Sequence, residues 1–188
     1  NARELRLTTY PDFGLFVHTV YDLLPPDKYF PEHPEYYAEI DGKRTAPVGL
    51  SESQYIVDLD FRREHGHKFG QLCFTNPEVA EVVAANLLER MRANPKPLIW
   101  SVSQEDWMGY CECAECKALD TAEGTPMASL LTFVNRVAET VEQEFPDHYI
   151  ETLAYWWSRQ MPKTIKPRDN VIIRLCSIEC DFARPLND

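Results

Sequence analysis

Hydrophobic residues in the middle of the chain alternate between short continuous runs and stripes of helical spacing. The runs at residues 71–75, 98–103, 149–156 and 171–178 predict buried strands, because short apolar runs bounded by turn residues are typical of them. Asn76 and Pro77 predict the start of a helix directly after the first run. The apolar stripe of this helix consists of Val79, Val82, Val83, Leu87 and Met91.

A second helix is predicted from residues 125–126 (Thr-Pro), after a loop that carries cysteines. Its stripe consists of Leu130, Val134, Val137, Val141 and Phe145. Earlier in the chain, we predict a short strand at 14–19, a short helix at 27–30 and a hairpin turn at residues 41–42 (Asp-Gly). Residues 45–68 favour no assignment. The central order of strand, helix, strand, helix, strand, strand predicts a parallel α/β sheet with flanking helices.

Composition and charge narrow the classes of function. The chain has 188 residues, of which 44% are hydrophobic, and we expect one domain. Its net charge of −11, without any basic run, disfavours nucleic-acid binding. No apolar stretch reaches the roughly 20 residues of a membrane span, and no signal peptide is evident. Because the chain begins with Asn1, we expect an upstream segment in the parent protein; localisation and protein partners stay open.

Polar and aromatic residues gather where the predicted strands end. The carboxyl ends of parallel strands converge on one edge of a sheet, where ligands bind. No glycine-rich phosphate loop is present, so nucleotide binding loses its main support. Amides, carboxylates and aromatic rings together suit a saccharide, because rings stack on apolar sugar faces while polar groups bind hydroxyls. The predicted saccharide-binding residues are His18, Asn76, Gln104, Trp107, Tyr155 and Trp156.

Several long motifs resemble those of an uncharacterised bacterial domain family that accompanies α-glucuronidase-type glycoside hydrolases. The segments that carry this resemblance are PPDKYFPEHPEYYAEIDGKR, QLCFTNPEV, WSVSQEDWMGYCECAECKALD, LLTFVNRVAETVE, ETLAYWW and IKPRDNVIIRLCSIECDFARPL. The resemblance implies the glycosidase (β/α)₈ barrel and a role in polysaccharide breakdown. A complete barrel takes about 250 residues. We therefore expect residues 1–188 to form a single glycosidase-like domain that is part of a longer barrel.

Glycosidic cleavage ordinarily needs two carboxyl groups that flank the scissile bond. Asp106, Glu105 and Glu179 lie at predicted strand ends and are the catalytic candidates. Asp106 follows an apolar strand, where partial desolvation favours the role of the acid. Other readings stay open for all three: Asp106 and Glu105 as helix caps or solvated charges, and Glu179 as an ion-pair partner of Arg174 or Arg184.

Three cysteines with CxCxxC spacing form a second candidate site. Cys111, Cys113 and Cys116 are the predicted metal ligands, since three thiolates at this spacing would occupy three corners of a tetrahedral zinc site. Cys73, Cys176 and Cys180 are the candidates for the fourth ligand. Structural zinc, disulfides in an exported protein and free thiols all remain open. Either kind of crosslink would hold the loop after Asp106 at the mouth of the site.

The leading hypothesis is thus a glycoside hydrolase that uses carboxylate acid/base catalysis and needs no nucleotide cofactor. Its predicted partner is a carbohydrate substrate. Two alternatives belong to other classes of function. One is a carbohydrate-binding domain without catalysis, and the other is a structural or interaction domain organised around a thiolate-bound metal.

Overall fold

Four parallel strands form the main sheet of the protein. The computed structural model describes residues 13–49, 69–178 and 183. The strands of the sheet are β1 (Phe13–Leu15), β4 (Ile99–Ser101), β5 (Tyr149–Ala154) and β6 (Val171–Leu175), in the spatial order β1-β4-β5-β6. A separate antiparallel hairpin consists of β2 (Glu39–Ile40) and β3 (Lys43–Arg44).

Five α-helices and two 3₁₀ turns accompany these strands in the described ranges. The helices are α1 (Val20–Leu23), α2 (Pro26–Tyr29), α3 (Pro77–Ala93), α4 (Ala114–Glu123) and α5 (Met127–Glu142). The 3₁₀ turns cover Pro34–Tyr36 and Trp156–Ser158. Among the described residues, no helix combines the length and the apolar character that crossing a bilayer requires.

The predicted parallel α/β architecture is confirmed. Ile99 pairs with Tyr149, and Ile150 pairs with Val171, all in parallel register. Each strand added along the chain extends the sheet at the same edge. The described strands form a sheet with flanking helices and do not show a closed barrel.

Local signals set the start of α3 and the hairpin turn as predicted. The Asn76 side chain accepts a hydrogen bond from the Glu78 N–H at 3.0 Å, and Pro77 is the first helical residue. Asp41 and Gly42 have φ angles of 50° and 73°, the left-handed pair that a tight two-residue hairpin turn needs.

Two predictions of secondary structure were wrong. Residues 71–75 do not join the sheet; Leu72 makes an isolated bridge with Tyr37, and Phe74 and Thr75 lie in a turn. The apolar run there arises because these residues are covered from both sides. The cysteine loop contains α4, which the sequence did not indicate because only Cys116 and Glu123 of that helix are buried.

The hydrophobic core lies between one face of the sheet and the helices α3 and α5. Trp100, Ile150 and Val171 supply the sheet side of this core. The helices contribute the residues of their predicted stripes that become fully buried, namely Val79, Val83, Leu87, Met91, Leu130, Val134, Val137 and Val141. Burial of these side chains holds the strands in place, and so fixes where their carboxyl ends lie.

An ion pair lies beside β5 and β6. Glu151 is 1% exposed, and Arg174 Nε lies 2.7 Å from its Oε1 atom. Burial raises the pKa of Glu151, against the opposing influence of Ser101 and Arg174. The Arg174 guanidinium also lies over the rings of Phe13 and Phe16, at 4.9 and 4.4 Å from their centroids. Arg174 therefore joins β6 both to β5 and to the β1 region.

Candidate metal centre and strand-end site

Four buried cysteine sulfurs converge on one point between the hairpin, α3 and α4. Cys73, Cys111, Cys113 and Cys116 place their Sγ atoms within 4.8 Å of one another, and all four side chains are free thiols. We call them the four-cysteine cluster. The sequence predicted the last three as metal ligands, and Cys73 is the member that the fold selects from the three candidates for the fourth. Cys176 lies outside the cluster, at the end of β6, and Cys180 lies outside the described residues.

The spacing of the sulfurs matches a tetrahedral thiolate site. Cys73 Sγ lies 3.7 Å from Cys113 Sγ and 4.0 Å from Cys116 Sγ. Four sulfurs at the Zn–S distance of about 2.3 Å would be separated from one another by about 3.8 Å. The cluster therefore has the donor set and the size that a zinc ion requires, and each ligand is at most 4% exposed.

Polar groups around the cluster point hydrogen atoms at the sulfurs. The Glu39 N–H donates to Cys111 Sγ at 3.3 Å, and Arg44 Nη1 donates to the same sulfur at 3.5 Å. The Thr75 hydroxyl lies 3.0 Å from Cys116 Sγ. Such donors stabilise thiolate charge and orient the ligands of a metal. The Arg44 cation also offsets part of the negative charge that four thiolates would bring.

Hydrogen bonds between the thiols of the cluster couple their pKa values. Hydrogen bonds from Cys111 and Cys116, followed by Arg44, lower the pKa of Cys73 well below its usual range, although burial opposes this. Hydrogen bonds with Cys111 and Cys73 raise the pKa of Cys116. A bound metal would displace the protons that these thiols carry.

Two glycines bring the cysteine-bearing segments together. Gly70 and Gly109 form an isolated parallel bridge, in which the Gln71 N–H donates to the Gly109 carbonyl at 2.7 Å. A methyl group on Gly109 would overlap the carbonyl oxygen of Phe69. The bridge lies just before Cys73 on one segment and just before Cys111 on the other. The close approach of the two backbones thus places these ligands side by side.

The second candidate site lies at the carboxyl ends of β1, β4 and β5, and it brings three predicted residues together. The Tyr155 hydroxyl donates to Asp106 Oδ1 at 3.0 Å, and this contact orients the carboxylate. His18 Nδ1 lies 2.8 Å from the Gln104 carbonyl oxygen. The rings of His18 and Tyr155 have centroids 6.2 Å apart. We call His18, Asp106 and Tyr155, with the neighbouring Trp156, the strand-end site.

Left-handed backbone conformations are concentrated at the strand-end site. Val17, His18 and Trp156 have φ angles of 34°, 54° and 53°. Such angles are unfavourable for L-residues, and most unfavourable for a β-branched residue such as Val17. Strained backbone of this kind is concentrated at functional sites, where the surrounding structure holds it. Trp156 lies two residues after the end of β5 and is 47% exposed.

The remaining predicted residues have other surroundings. Glu105 is 5% exposed, and its Oε1 accepts a hydrogen bond from the Tyr21 N–H at 3.0 Å. Trp107 is buried against the rings of Tyr21 and Phe69. Asn76 caps α3 and donates to the Glu35 carbonyl. None of these contacts connects them with the strand-end site, and Glu179 lies outside the described residues.

One of the two polar side-chain atoms of Gln104 has no partner in the described part of the chain. This residue has no exposed surface, and its Nε2 donates to Ser158 Oγ at 2.6 Å. Its Oε1 atom is buried and has no hydrogen-bond partner among the residues that the structure describes. A buried unsatisfied acceptor is costly and calls for an explanation. Here it lies in the same strand-end segment as Asp106.

Sequence reasoning missed the structural role of Gln71. This side chain is fully buried and bonds to the backbone on both sides of Asp106. One signal was available in the sequence, since a glutamine inside an apolar run needs a buried hydrogen-bond partner. The partner itself is 34 positions away along the chain, so only the folded structure could identify it.

The fold and the two sites define an α/β domain with a parallel sheet, a buried four-cysteine cluster and a polar, aromatic strand-end site. The profile of the family described as "Domain of unknown function (DUF4838)" matches residues 2–188, and the chain belongs to this family. No curated protein and no solved structure matches the chain. The family description carries no activity, so the link to α-glucuronidase-type enzymes stays a prediction.

Proposed function

We propose that this protein is a carbohydrate-active domain in which a structural zinc ion braces the loop that presents Asp106 to a saccharide. The zinc part of this proposal depends on the convergence of four buried sulfurs within 4.8 Å. Four thiolates without a position for water are typical of structural rather than catalytic zinc. The ion would hold Cys73, the loop around Cys111 and the first turn of α4 in one place.

Metal analysis with a matched pair of variants tests the zinc centre. The purified protein should contain one zinc ion per chain. Cys73→Ser should lose most of this zinc, whereas Cys176→Ser, which changes a cysteine outside the cluster, should keep it. A zinc-free protein with full thiol reactivity, or equal zinc content in both variants, would contradict the proposal.

The saccharide part of the proposal depends on the contact between Asp106 and Tyr155 beside the exposed Trp156. The indole offers a flat apolar surface for a pyranose ring, while His18 and Asp106 offer hydrogen-bonding groups for its hydroxyls. The strands follow one another in sheet order without a reversal. This order is the one found in (β/α)₈ barrels, whereas doubly wound sheets reverse direction at a switch point.

In the proposed reaction, Asp106 is one of two carboxyl groups that act on the glycosidic bond. Glu105 is unsuited to the second role because its carboxylate is buried and bonded to the Tyr21 backbone. Glu179 remains the candidate for the second group. In a retaining enzyme one carboxylate attacks the anomeric carbon while the other, as the acid, protonates the leaving oxygen, and water then hydrolyses the glycosyl-enzyme. In an inverting enzyme one carboxyl group protonates the leaving oxygen while the other takes a proton from the water that attacks the anomeric carbon.

Hydrolysis of a panel of aryl glycosides and oligosaccharides by the parent protein tests this role. Asp106→Asn and Glu179→Gln should each reduce kcat by about 10²–10⁴-fold, as expected for loss of an acid or base. Asp147→Asn, which changes an exposed carboxylate just before β5, should keep the full rate. Full activity in both Asp106→Asn and Glu179→Gln would remove these residues as catalysts.

A carbohydrate-binding domain without catalysis is the second candidate function. The observation that favours it concerns Glu105, one of the two predicted β4-end carboxylates. Its carboxylate is buried and accepts a hydrogen bond from the Tyr21 N–H, whereas cleavage needs a pair of carboxyl groups at the bond. Oligosaccharide binding measured by calorimetry, without any hydrolysis, would support this function. Trp156→Ala should then weaken binding in the same way as Asp106→Asn.

A further inference from the structure

The side-chain amide of Gln71 holds the backbone on both sides of Asp106. Its Oε1 accepts a hydrogen bond from the Glu105 N–H at 2.8 Å. Its Nε2 donates to the Glu105 carbonyl at 3.0 Å and to the Trp107 carbonyl at 2.8 Å. Gln71 is fully buried, so no water competes for these bonds. The peptide groups that flank Asp106 therefore take their position from Gln71.

The same segment carries a ligand of the four-cysteine cluster. Gln71 lies two residues before Cys73, and its backbone is fixed by the Gly109 carbonyl at 2.7 Å and the Ala38 N–H at 2.8 Å. The loop that Gln71 holds also continues directly into Cys111. A metal in the cluster would join these two segments through Cys73 and Cys111, a few residues beyond the hydrogen bonds that Gln71 makes. The metal and Gln71 thus act on the same pair of backbones.

We propose that metal bound to the four-cysteine cluster fixes the position of Asp106 through the side-chain amide of Gln71, which is a positioning residue of the strand-end site. This inference rests on the proposed zinc centre and does not require that the saccharide or its reaction be known. Metal occupancy would regulate the strand-end site by holding segments 70–74 and 105–111 together. Without the metal, these segments would be joined mainly by hydrogen bonds.

Trp157 offers a spectroscopic reporter for this coupling. Its indole Nε1–H donates to the Trp107 carbonyl at 3.0 Å, and this carbonyl also accepts the hydrogen bond from Gln71. The chain has four tryptophans, so the indole region of a ¹⁵N-correlated NMR spectrum contains few signals. The Glu105 amide gives a second reporter because its proton is bonded directly to Gln71 Oε1.

The test replaces zinc with cadmium in the full chain and follows these reporters. Cadmium is a larger thiophilic ion, so it expands the sulfur cage without requiring the chain to unfold. In the wild type, the Glu105 amide and the Trp157 indole should shift several-fold more than amides of α3 near Asn86. Gln71→Met conserves volume but removes the hydrogen bonds, and it should bring both shifts down to the level of α3.

Asn86→Ala serves as the matched control. Asn86 lies in α3 and donates its side-chain amide to the Leu23 carbonyl at 2.7 Å, and its loss should leave the cadmium shifts at Glu105 and Trp157 unchanged. Equal shifts in Gln71→Met and the wild type would overturn the inference while the zinc centre stands. A wild-type chain that binds neither metal would overturn both, and the metal content shows this before any spectrum is compared.

Hydrogen exchange in the wild type gives an answer that does not depend on the folding of Gln71→Met. Chelation of the zinc should speed exchange of the Glu105 amide and the Trp157 indole by about tenfold, while amides of β5 keep their protection. Unchanged exchange at both reporters after complete zinc removal would overturn the inference.

Discussion

At the scale of single residues, the backbone bridge between Gly70 and Gly109, next to the four-cysteine cluster, leaves no space for a side chain at Gly109. Gly109 meets the Phe69 carbonyl and the Gly70 Cα atom so closely that a side chain must push two backbone segments apart. Backbone atoms cannot move aside as the end of a flexible side chain can. This glycine therefore stabilises the fold and also places Cys111 beside Cys73.

Gly109→Ala should lower the free energy of unfolding by about 2–3 kcal/mol, the cost of overpacking. It should also weaken zinc binding. Gly42→Ala is the control, since no heavy atom of residues 13–49 or 69–178 lies within 4 Å of the added methyl group. That change should cost only the left-handed backbone penalty of about 1 kcal/mol. Urea denaturation with zinc present compares the two, and equal losses would contradict the role of close packing at Gly109.

Asp120 gives a pH dependence that also belongs to the residue scale. Burial raises its pKa from 3.8 to about 6, although hydrogen bonds from the Ser129 N–H and hydroxyl oppose the shift. The folded chain then binds a proton more tightly at this carboxyl than the unfolded chain does. The resulting stability is fully present below pH 3.8 and is lost as the pH rises through about 6.

The wild type should therefore gain stability relative to Asp120→Asn when the pH falls from 7 to 5. Asparagine keeps an acceptor for the Ser129 N–H but does not titrate. The two chains share all other titratable groups, including the cysteines. The difference between their unfolding free energies at each pH therefore reports on Asp120 alone. A difference in unfolding free energy that stays constant between pH 7 and pH 5 would show that Asp120 titrates normally.

Residues whose role depends on near neighbours were predictable, and residues whose role depends on distant ones were not. Asn76 and Pro77 determine the start of α3 with atoms only two positions apart. Cys73 could not be chosen over Cys176 or Cys180, because 38 residues separate it from Cys111 and only tertiary structure joins them. Glu105 and Trp107 follow a strand as predicted, but their burial depends on Tyr21 and Phe69.

At the scale of elements, α4 differs from the two long helices in what holds it. Helices α3 and α5 bury stripes of apolar residues against the sheet. Helix α4 buries only Cys116 and Glu123, and its N-cap Cys113 makes no side-chain cap. Its first turn therefore depends on the four-cysteine cluster, while Glu123 fixes the last turn by accepting the Thr164 N–H at 2.7 Å.

Zinc removal should consequently loosen the start of α4 before it affects α5. We expect the Lys117 amide, which bonds to the Cys113 carbonyl, to exchange about tenfold faster after chelation. Amides of α5 around Val134 should keep their protection. Hydrogen exchange with zinc and with a chelator measures this difference. Equal protection of α4 in both states would mean that the helix needs no metal.

The same contrast explains why some elements were predicted and others were not. The stripe of α5 has a helical period and every turn of the helix buries apolar residues, so its sequence alone indicates a helix. Helix α4 has no such stripe. Residues 71–75 have the apolar run of a strand, but Gln71 and Cys73 pair with Ala38 and Tyr36 of an irregular segment rather than with β4.

At the scale of the whole molecule, the sheet combines an apolar core with a buried pair of charged residues. The side toward α3 and α5 is an ordinary apolar core. Glu151 and Arg174 add a charged pair that ties β5 to β6. Because Glu151 is 1% exposed, its charge depends on Arg174 for compensation.

Arg174→Met should therefore destabilise the protein by about 3 kcal/mol, since it leaves a carboxyl group buried without its partner. It also removes the cation that lies over Phe13 and Phe16. Adding Glu151→Gln to Arg174→Met should recover part of the loss, because the neutral amide costs less to bury. Thermal denaturation of the two variants checks this, and a double variant that is less stable than Arg174→Met would contradict it.

X-ray absorption at the zinc edge of the purified protein tests the proposed zinc centre directly. The four-cysteine cluster predicts four sulfur neighbours at about 2.3 Å and no nitrogen or oxygen neighbour. Cys73→Ser should replace one of these sulfurs with a lighter atom or lose the ion. A protein without zinc, or a zinc ion whose shell contains nitrogen or oxygen in place of these sulfurs, would contradict the proposal that the four cysteines bind zinc.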